Sequence, residues 1–318
     1  MQASSLRRGL VAGCVALALS GCAAWLPPPQ TAALHEAAPV DLPHRAELRE
    51  VPFFPQTPYH CGPAALATVL TQVGLPSAPD QLAGDVFLPA REGSLQVEML
   101  AAARRRGAVA TRLPPRLDAL LREVAAGHPP VVLLNLGLAW LPRWHYAVLV
   151  GYDLDADQLV LRSGVTEREL MPLATFEYTW ARADRWAFVV TQPGELPLQA
   201  TEADATQAVL GFERVAKPGL VARAWTPLTQ RWPGALLPWM GLGNARFAMG
   251  DWKGAAAAFA QAAQRHDSAA AWNNLAQTLD NLGDRDGARA AVERGIERAR
   301  KSEPQWLDAL QETAQALR

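Results

Sequence analysis

Cysteine is scarce in this chain, with only Cys14, Cys22 and Cys61 among 318 residues. So few thiols exclude a fold held together by several disulfides. An excess of one charge is also missing, because 30 basic side chains are matched by 31 acidic ones. Nucleic acid is therefore not expected as a partner, since phosphate binding needs a clustered basic surface. No His, Cys, Asp or Glu cluster has metal-ligand spacing, so we expect no metal and no cofactor.

The N-terminus has the pattern of an export signal. Arg7 and Arg8 precede GLVAGCVALAL, an apolar stretch too short to remain in a bilayer as a permanent anchor. The stretch ends in LSGC at residues 19–22, which resembles the lipobox of bacterial lipoproteins. This resemblance implies cleavage before Cys22 and attachment of lipid to its thiol. Ala23 follows instead of aspartate, which implies sorting to the outer membrane of the cell envelope, facing the periplasm.

Two alternatives remain open for this segment. It could be an ordinary signal peptide in which Cys22 is incidental, or Arg7 and Arg8 could direct twin-arginine export. If Cys14 leaves with the signal peptide and Cys22 carries lipid, Cys61 is the single thiol of the exported protein. A lone thiol in an oxidising compartment is either a buried structural side chain or a catalytic nucleophile.

Composition and periodicity divide the chain into four segments. We predict a signal peptide at 1–21, a lipidated tether at 22–50, a first domain at 51–195 and a helical domain at 196–318. The tether is predicted because this segment shows no hydrophobic periodicity. Within the first domain, helices are predicted at 63–73, 94–106 and 116–126, and strands at 131–136, 145–152, 158–163 and 186–191. Helices followed by antiparallel strands indicate an α+β domain.

The C-terminal segment repeats itself. WMGLGNA, beginning at Trp239, is echoed 33 residues later by WNNLAQT, and Gly250-Asp251 is echoed at the same offset. This pattern resembles the tetratricopeptide repeat. The resemblance implies an all-α domain of stacked helix pairs that contacts a protein or peptide partner. An unrelated helical bundle is the alternative.

Cys61 lies in PQTPYHCGPAAL, where a helix is predicted to begin. Pro63 suits a first helical turn, since its missing N–H would have no partner there. Free backbone N–H groups and the positive end of the helix dipole then surround the sulfur. Both favour the thiolate, which is the nucleophilic form. The position therefore predicts an ionised, reactive thiol.

Two other residues could complete a catalytic set with Cys61. Gln56 could donate its side-chain amide to an oxyanion together with the backbone N–H of Cys61. His145 begins a strand whose alternation places its ring on the face of Ala147 and Leu149, where it could act as a base. Taken singly, a loop glutamine is usually solvated and a strand histidine usually structural. The three residues together predict catalysis.

These stretches carry a family resemblance. QTPYHCGPAALATVL, followed about eighty residues later by HYAVLVGYD, resembles the C39 family of papain-like cysteine peptidases over residues 51–192. The resemblance implies an α+β papain-like domain with helices packed on an antiparallel sheet, and a peptide or protein substrate. It assigns the nucleophile to Cys61, the base to His145 and the oxyanion glutamine to Gln56. There is no GxxxxGK[ST] sequence, so the ATP-driven transport role of some members is not implied.

One position departs from the family. Where the family usually has aspartate after the histidine strand, this chain has Ser163. If the DLDAD loop closes a hairpin, His145 faces residues 163–165. A serine can hold the imidazole tautomer but cannot stabilise imidazolium by charge, which could cost up to about 10⁴ in rate. Asn135 is an alternative third residue.

Two functions follow from these patterns. The first is a membrane-anchored cysteine peptidase, with acyl transfer as a close chemical variant. The second is a C39-like scaffold of weak or absent activity that binds peptides. In either case the repeats would engage a protein partner, and lipid on Cys22 would hold the chain on the membrane.

Overall fold

The computed structural model describes residues 27–56, 60–88, 90 and 93–318. The predicted signal peptide and the lipobox with Cys22 lie outside the described residues. Across the ranges that are described, no helix combines the length and hydrophobicity needed to cross a bilayer.

The N-terminal domain is built on a seven-stranded antiparallel sheet. Its strands are β1 (Arg45–Glu47), β4 (Val109–Arg112), β5 (Val131–Asn135), β6 (Trp144–Asp153), β7 (Gln158–Ser163), β8 (Thr166–Pro172) and β9 (Ala187–Thr191). The order is β4-β9-β5-β6-β7-β8, and β1 pairs with the end of β6. A separate short hairpin joins β2 (Phe87–Leu88) to β3 (Gly93–Ser94).

Helices cover both faces of this sheet because β6 is apolar on both faces. Tyr146 and Val148 face the helices α2 (Cys61–Gln72), α3 (Pro79–Val86) and α4 (Gln96–Arg105). Ala147 and Leu149 face α1 (Pro29–Glu36), α5 (Leu117–Ala125) and α6 (Leu173–Ala181). Strand alternation thus creates two cores and three layers. The predicted α+β class with helices on an antiparallel sheet is confirmed.

The C-terminal region is helical throughout. Its helices are α7 (Glu202–Glu213), α8 (Pro218–Arg231), α9 (Leu236–Ala248), α10 (Trp252–His266), α11 (Ala269–Asn281), α12 (Arg285–Ser302) and α13 (Leu307–Ala316). Asp251 and Asp284 each cap a helix by accepting a hydrogen bond from a glycine N–H three residues on. These caps explain why the Gly-Asp pairs recur in the sequence, since each marks the start of a second helix.

The helical region is joined to the sheet directly. Strand β4 lies at one end of the sheet, and α7 packs along it, with Val109 of β4 in the same core as Phe212 and Trp225. An uncovered edge strand would expose unpaired backbone groups and invite association. The first helix of the repeats therefore also protects the sheet.

The predicted tether at 22–50 is wrong for the part that the structure describes. Helix α1 docks on α6, where the buried carboxylate of Glu177 accepts hydrogen bonds from the backbone N–H groups of Gln30 and Thr31 and from the Thr31 hydroxyl. Farther on, His44 pairs with Asp155. The sequence shows no hydrophobic periodicity here because polar contacts hold the segment, and α1 buries only Thr31 and Leu34.

The docking of α1 gives a testable prediction. Glu177→Ala leaves two helix N–H groups without their acceptor, at a cost of about 1–3 kcal/mol, or roughly 5- to 150-fold in local opening. We expect faster amide hydrogen exchange across α1, measured by mass spectrometry of peptides covering Pro29–Glu36. Glu293→Ala removes an exposed carboxylate of α12 and serves as the control. Unchanged exchange in α1 would contradict this account of its docking.

Candidate functional site

Cys61 is the first residue of α2, as its sequence context predicts. Gly62 beside it packs so closely on the Ser94 side chain that a Cβ atom would collide with Ser94 Oγ. This contact explains why glycine follows the cysteine. The half-buried Cys61 side chain packs against the core formed by α2 and the Tyr146 face of β6. The thiol therefore lies between a helix N-terminus and the central sheet.

The environment of the sulfur differs from the sequence prediction. Cys61 Sγ accepts hydrogen bonds from the backbone N–H groups of Gly62 and Cys61, at the helix N-terminus, and of Tyr146, in β6. Burial has the larger effect, however, and raises the pKa of the Cys61 thiol above its ordinary value. The expectation of a thiolate in the resting protein is thus wrong. Its physical reason is burial, which the local sequence does not reveal.

His145 lies next to the backbone group that bonds the sulfur. It is the second residue of β6, and its Nε2 is 2.8 Å from Ser163 Oγ. Burial lowers the pKa of His145, and the negative charge of Glu169 opposes that shift. Because Nε2 is engaged with Ser163, Nδ1 is the ring nitrogen available to a thiol. The predicted proximity of His145 to residues 163–165 is confirmed.

The alternative third residue, Asn135, has a different task. Its Oδ1 accepts hydrogen bonds from the backbone N–H groups of Gly137 and Arg143, both at 2.9 Å. Leu134, not Asn135, pairs with His145 across the sheet, so the Asn135 side chain belongs to the other face. Asn135 therefore shapes the loop between β5 and β6 and does not orient the imidazole.

Gln56 is held beside the His145–Ser163 pair by its backbone. Its N–H donates to the carbonyl of Gly164 at 2.9 Å. Gly164 begins the two-residue turn between β7 and β8, and its φ of +58° suits glycine. The loop that carries Gln56 is thus fixed to the residue that follows Ser163.

Arg162 is a positioning residue that sequence reasoning missed. It is 6% exposed, and its guanidinium donates to the carbonyls of Arg49, Val51 and Glu167. Residues 49–51 lead directly into the loop of Gln56. An arginine inside the apolar strand LVLRS was the available signal, because a buried guanidinium must be given hydrogen-bond acceptors.

Family models divide the chain where the structure does. Residues 48–187 match the model described as the Peptidase_C39 like family, and residues 246–312 match the tetratricopeptide repeat. The chain contains a C39-like peptidase domain followed by tetratricopeptide repeats. Helices α7 and α8 precede the matched repeat.

Solved structures resemble the two parts separately. A Bacillus anthracis protein described as a C39-like peptidase is 19% identical, with a TM-score of 0.40 over 46% of this chain and 98% of its own. The peptidase domain of Streptococcus ComA is 19% identical, with a TM-score of 0.37 over 45% and 99%. Yersinia enterocolitica SycD, in complex with a peptide of the translocator YopD, is 18% identical, with a TM-score of 0.34 over 36% and 90%. No curated protein matches.

The C39-like domain thus places the His145 imidazole on the Ser163 hydroxyl, and the next residue, Tyr146, bonds the Cys61 sulfur through its backbone N–H. The pKa of Cys61 is raised and that of His145 is lowered, so both shifts favour the uncharged pair. Such a pair can move a proton from sulfur to nitrogen while the sulfur attacks an electrophile. In the part of the chain with described coordinates, no group of three His, Cys, Asp or Glu residues could hold a metal ion.

The neutral pair predicts how Cys61 reacts with pH. Alkylation by iodoacetamide, followed by mass spectrometry of the Cys61 peptide, should be slow at pH 6 and still rising above about pH 8.5, the usual thiol pKa. Ser163→Asp adds a carboxylate beside Nε2, which favours imidazolium and a thiolate partner. The labelling profile should then move to lower pH. Ser163→Ala, which adds no charge, is the control. A wild-type rate that is already maximal below pH 7 would show a resting thiolate instead.

Proposed function

We propose that the C39-like domain is a cysteine peptidase that hydrolyses a peptide or protein substrate. Cys61 is the nucleophile and His145 the general base. The observation that carries this proposal is the hydrogen bond from Ser163 to His145, next to the Tyr146 N–H that bonds the Cys61 sulfur. In the proposed site, Cys61 as nucleophile, His145 as base and Ser163 as orienting group supply the three roles that nucleophilic catalysis needs.

The reaction proceeds through a thioester. Cys61 Sγ attacks the substrate carbonyl carbon as its proton passes to Nδ1 of His145. The backbone N–H of Cys61 and the amide of Gln56 donate to the oxyanion. The C–N bond breaks, and the leaving amine takes the proton from His145. Water then attacks the thioester carbonyl and gives a proton to His145, which returns it to the departing sulfur.

Ser163 sets the tautomer needed for the first step. Its oxygen accepts from Nε2–H, so Nδ1 carries a lone pair and can receive the thiol proton. The hydroxyl supplies no negative charge to the imidazolium that forms. Relative to a carboxylate at this position, the loss could reach about 10⁴ in rate. We therefore expect a slow peptidase whose rate is limited by formation of the ion pair.

A second candidate function rests on two observations. Burial raises the pKa of the Cys61 thiol, and Ser163 cannot compensate imidazolium by charge. If the substrate does not lower that barrier, the domain binds peptides without cleaving them. The tetratricopeptide repeats would then complete a scaffold for a protein or peptide partner.

The peptidase proposal is tested with the full chain and a peptide library, with cleavage followed by mass spectrometry. Cys61→Ala should abolish hydrolysis, and His145→Ala should lower kcat/KM by about 10²–10⁴. Ser163→Asp should raise it. Because burial lowers the pKa of His145, the rate should fall only below about pH 6.5, where the base becomes protonated.

His128→Ala, which changes a histidine paired with Glu123, is the control for that series. Hydrolysis that survives in Cys61→Ala would refute the assignment of the nucleophile. Capture of peptides by Cys61→Ser with no turnover in the wild type would favour the scaffold. A new amide product in the presence of an added amine would identify acyl transfer.

We also propose that the protein is a lipoprotein of the outer membrane, facing the periplasm and anchored through Cys22. The support is LSGC at residues 19–22, preceded by an apolar stretch of signal-peptide length. Cys22→Ala should block processing or move the protein from the membrane to the soluble fraction. Cys14→Ala is the matched control and should leave fractionation unchanged. Membrane fractionation that is unaffected by Cys22→Ala would reject the anchor.

A further inference from the structure

Residues 136–144, which are the loop between β5 and β6 and the first residue of β6, expose an unusual set of side chains. All but one of these nine residues are apolar or glycine, and the exception is Arg143. Their large apolar side chains are exposed by 46–78%, at Leu136, Leu138, Trp140, Leu141 and Trp144. Contiguous apolar surface of this kind on a soluble domain marks an interaction site.

Hydrogen bonds hold this loop in a hairpin. Leu138 and Leu141 exchange two backbone hydrogen bonds, at 3.1 and 3.2 Å, which leaves Ala139 and Trp140 at the tip. Below them, the N–H of Leu136 donates to the carbonyl of Arg143. Gly137 lies so close to the Leu141 carbonyl oxygen that a Cβ atom would collide with it. The apolar side chains are therefore displayed by a fixed backbone.

The shape and charge of the hairpin fit a lipid surface. Exposed side chains lie along the whole hairpin and at its tip, so the surface projects outward, whereas small ligands and peptides are held in concave sites. No acidic residue occurs between Glu123 and Asp153, and Arg143 supplies one cation. Tryptophan and leucine on the apolar surface, with a basic residue beside them at headgroup level, is the composition of segments that lie in the bilayer interface.

Helix α6 links the hairpin to the chain end that leads to Cys22. The middle of α6 holds α1 through Glu177, and its C-cap Arg182 donates to the carbonyl of Asn135 at the base of the hairpin. Glu177 and Arg182 are five residues apart, which is about 7.5 Å along a helix. Five residues lie between Cys22 and Pro28, the residue before α1, so these two positions are at most about 20 Å apart. A lipid on Cys22 would therefore bring the hairpin close to the bilayer.

We propose that the hairpin of residues 136–144 inserts into the interface of a phospholipid bilayer. Trp140, Leu138 and Leu141 enter the acyl boundary, Trp144 lies at headgroup depth, and Arg143 meets phosphate oxygens. His145 directly follows the hairpin, so insertion holds the mouth of the site at the membrane surface. The hairpin takes no part in the proposed peptidase chemistry. The proposed lipid anchor bears on this inference only because α6 connects the hairpin to α1.

The test uses the full chain on phosphatidylethanolamine–phosphatidylglycerol vesicles whose acyl chains carry bromine, which quenches nearby tryptophan. Flotation first measures binding. Fluorescence quenching of the bound protein should then fall markedly in Trp140→Ser/Trp144→Ser. The control Trp252→Phe/Trp272→Phe removes two half-buried tryptophans of the repeats and should leave quenching by the vesicles intact. Cys61→Ala should quench like the wild type, since insertion needs no catalysis.

Three results would overturn the proposal. Wild-type protein could fail to float, or it could float with the same quenching as the tryptophan double variant. In the third case, Leu138→Ser raises KM for a soluble peptide but leaves quenching unchanged, which would make the hairpin a substrate subsite. Leu237→Ser is the matched control, because both leucines are 54% exposed. Loss of hydrolysis alone would affect the peptidase proposal and not this one.

Discussion

The alternation of β6 is the constraint on which the site depends. Tyr146 faces the helix that carries Cys61, and its backbone N–H bonds the sulfur, while His145 bonds Ser163. A strand that buried only one face could not pack against helices on both sides of the sheet. Because α2 and α6 cover opposite faces, the strand has to be apolar throughout, and His145 is the polar exception at its beginning. The same strand thus organises two cores and the candidate site.

Burial governs the chemistry more strongly than the helix terminus does. Three backbone N–H groups, of Tyr146, Gly62 and Cys61 itself, bond the sulfur, yet the pKa of Cys61 is raised, because the loss of hydration destabilises a thiolate more than those bonds stabilise it. Burial lowers the pKa of His145 by the same physics, since it disfavours imidazolium. Ser163 offers His145 a hydrogen bond without charge.

Much of the fold followed from the sequence because its elements are apolar and periodic. The strands at Val131–Asn135, Gln158–Ser163 and Ala187–Thr191 and the helices around Cys61 and Leu117 lie within a few residues of their predicted bounds. The elements that the sequence did not predict are exposed or held by polar contacts. Strand β8 exposes most of its residues, and α1 is fixed by Glu177, which lies 146 residues away from Thr31 in the chain. Of the site, His145 and Ser163 were predicted correctly as neighbours. The raised pKa of the Cys61 thiol depends on burial, and the role of Arg162 depends on carbonyl groups that are distant in the chain. A local sequence pattern encodes neither.

Helix α6 makes the N-terminal segment part of the functional architecture. A long flexible tether would leave the domain free to rotate, and no face would meet the membrane more often than another. In the proposed lipoprotein, docking of α1 on α6 would limit that freedom, because the segment between Cys22 and Pro28 is short compared with the domain. The C-cap of the same helix holds the base of the exposed hairpin through Arg182 and Asn135. If Cys22 carries lipid and the hairpin enters the bilayer, as proposed, the two attachments restrict the domain to one orientation. The mouth of the site then faces the membrane, and the repeats extend from the β4 edge, where α7 is packed.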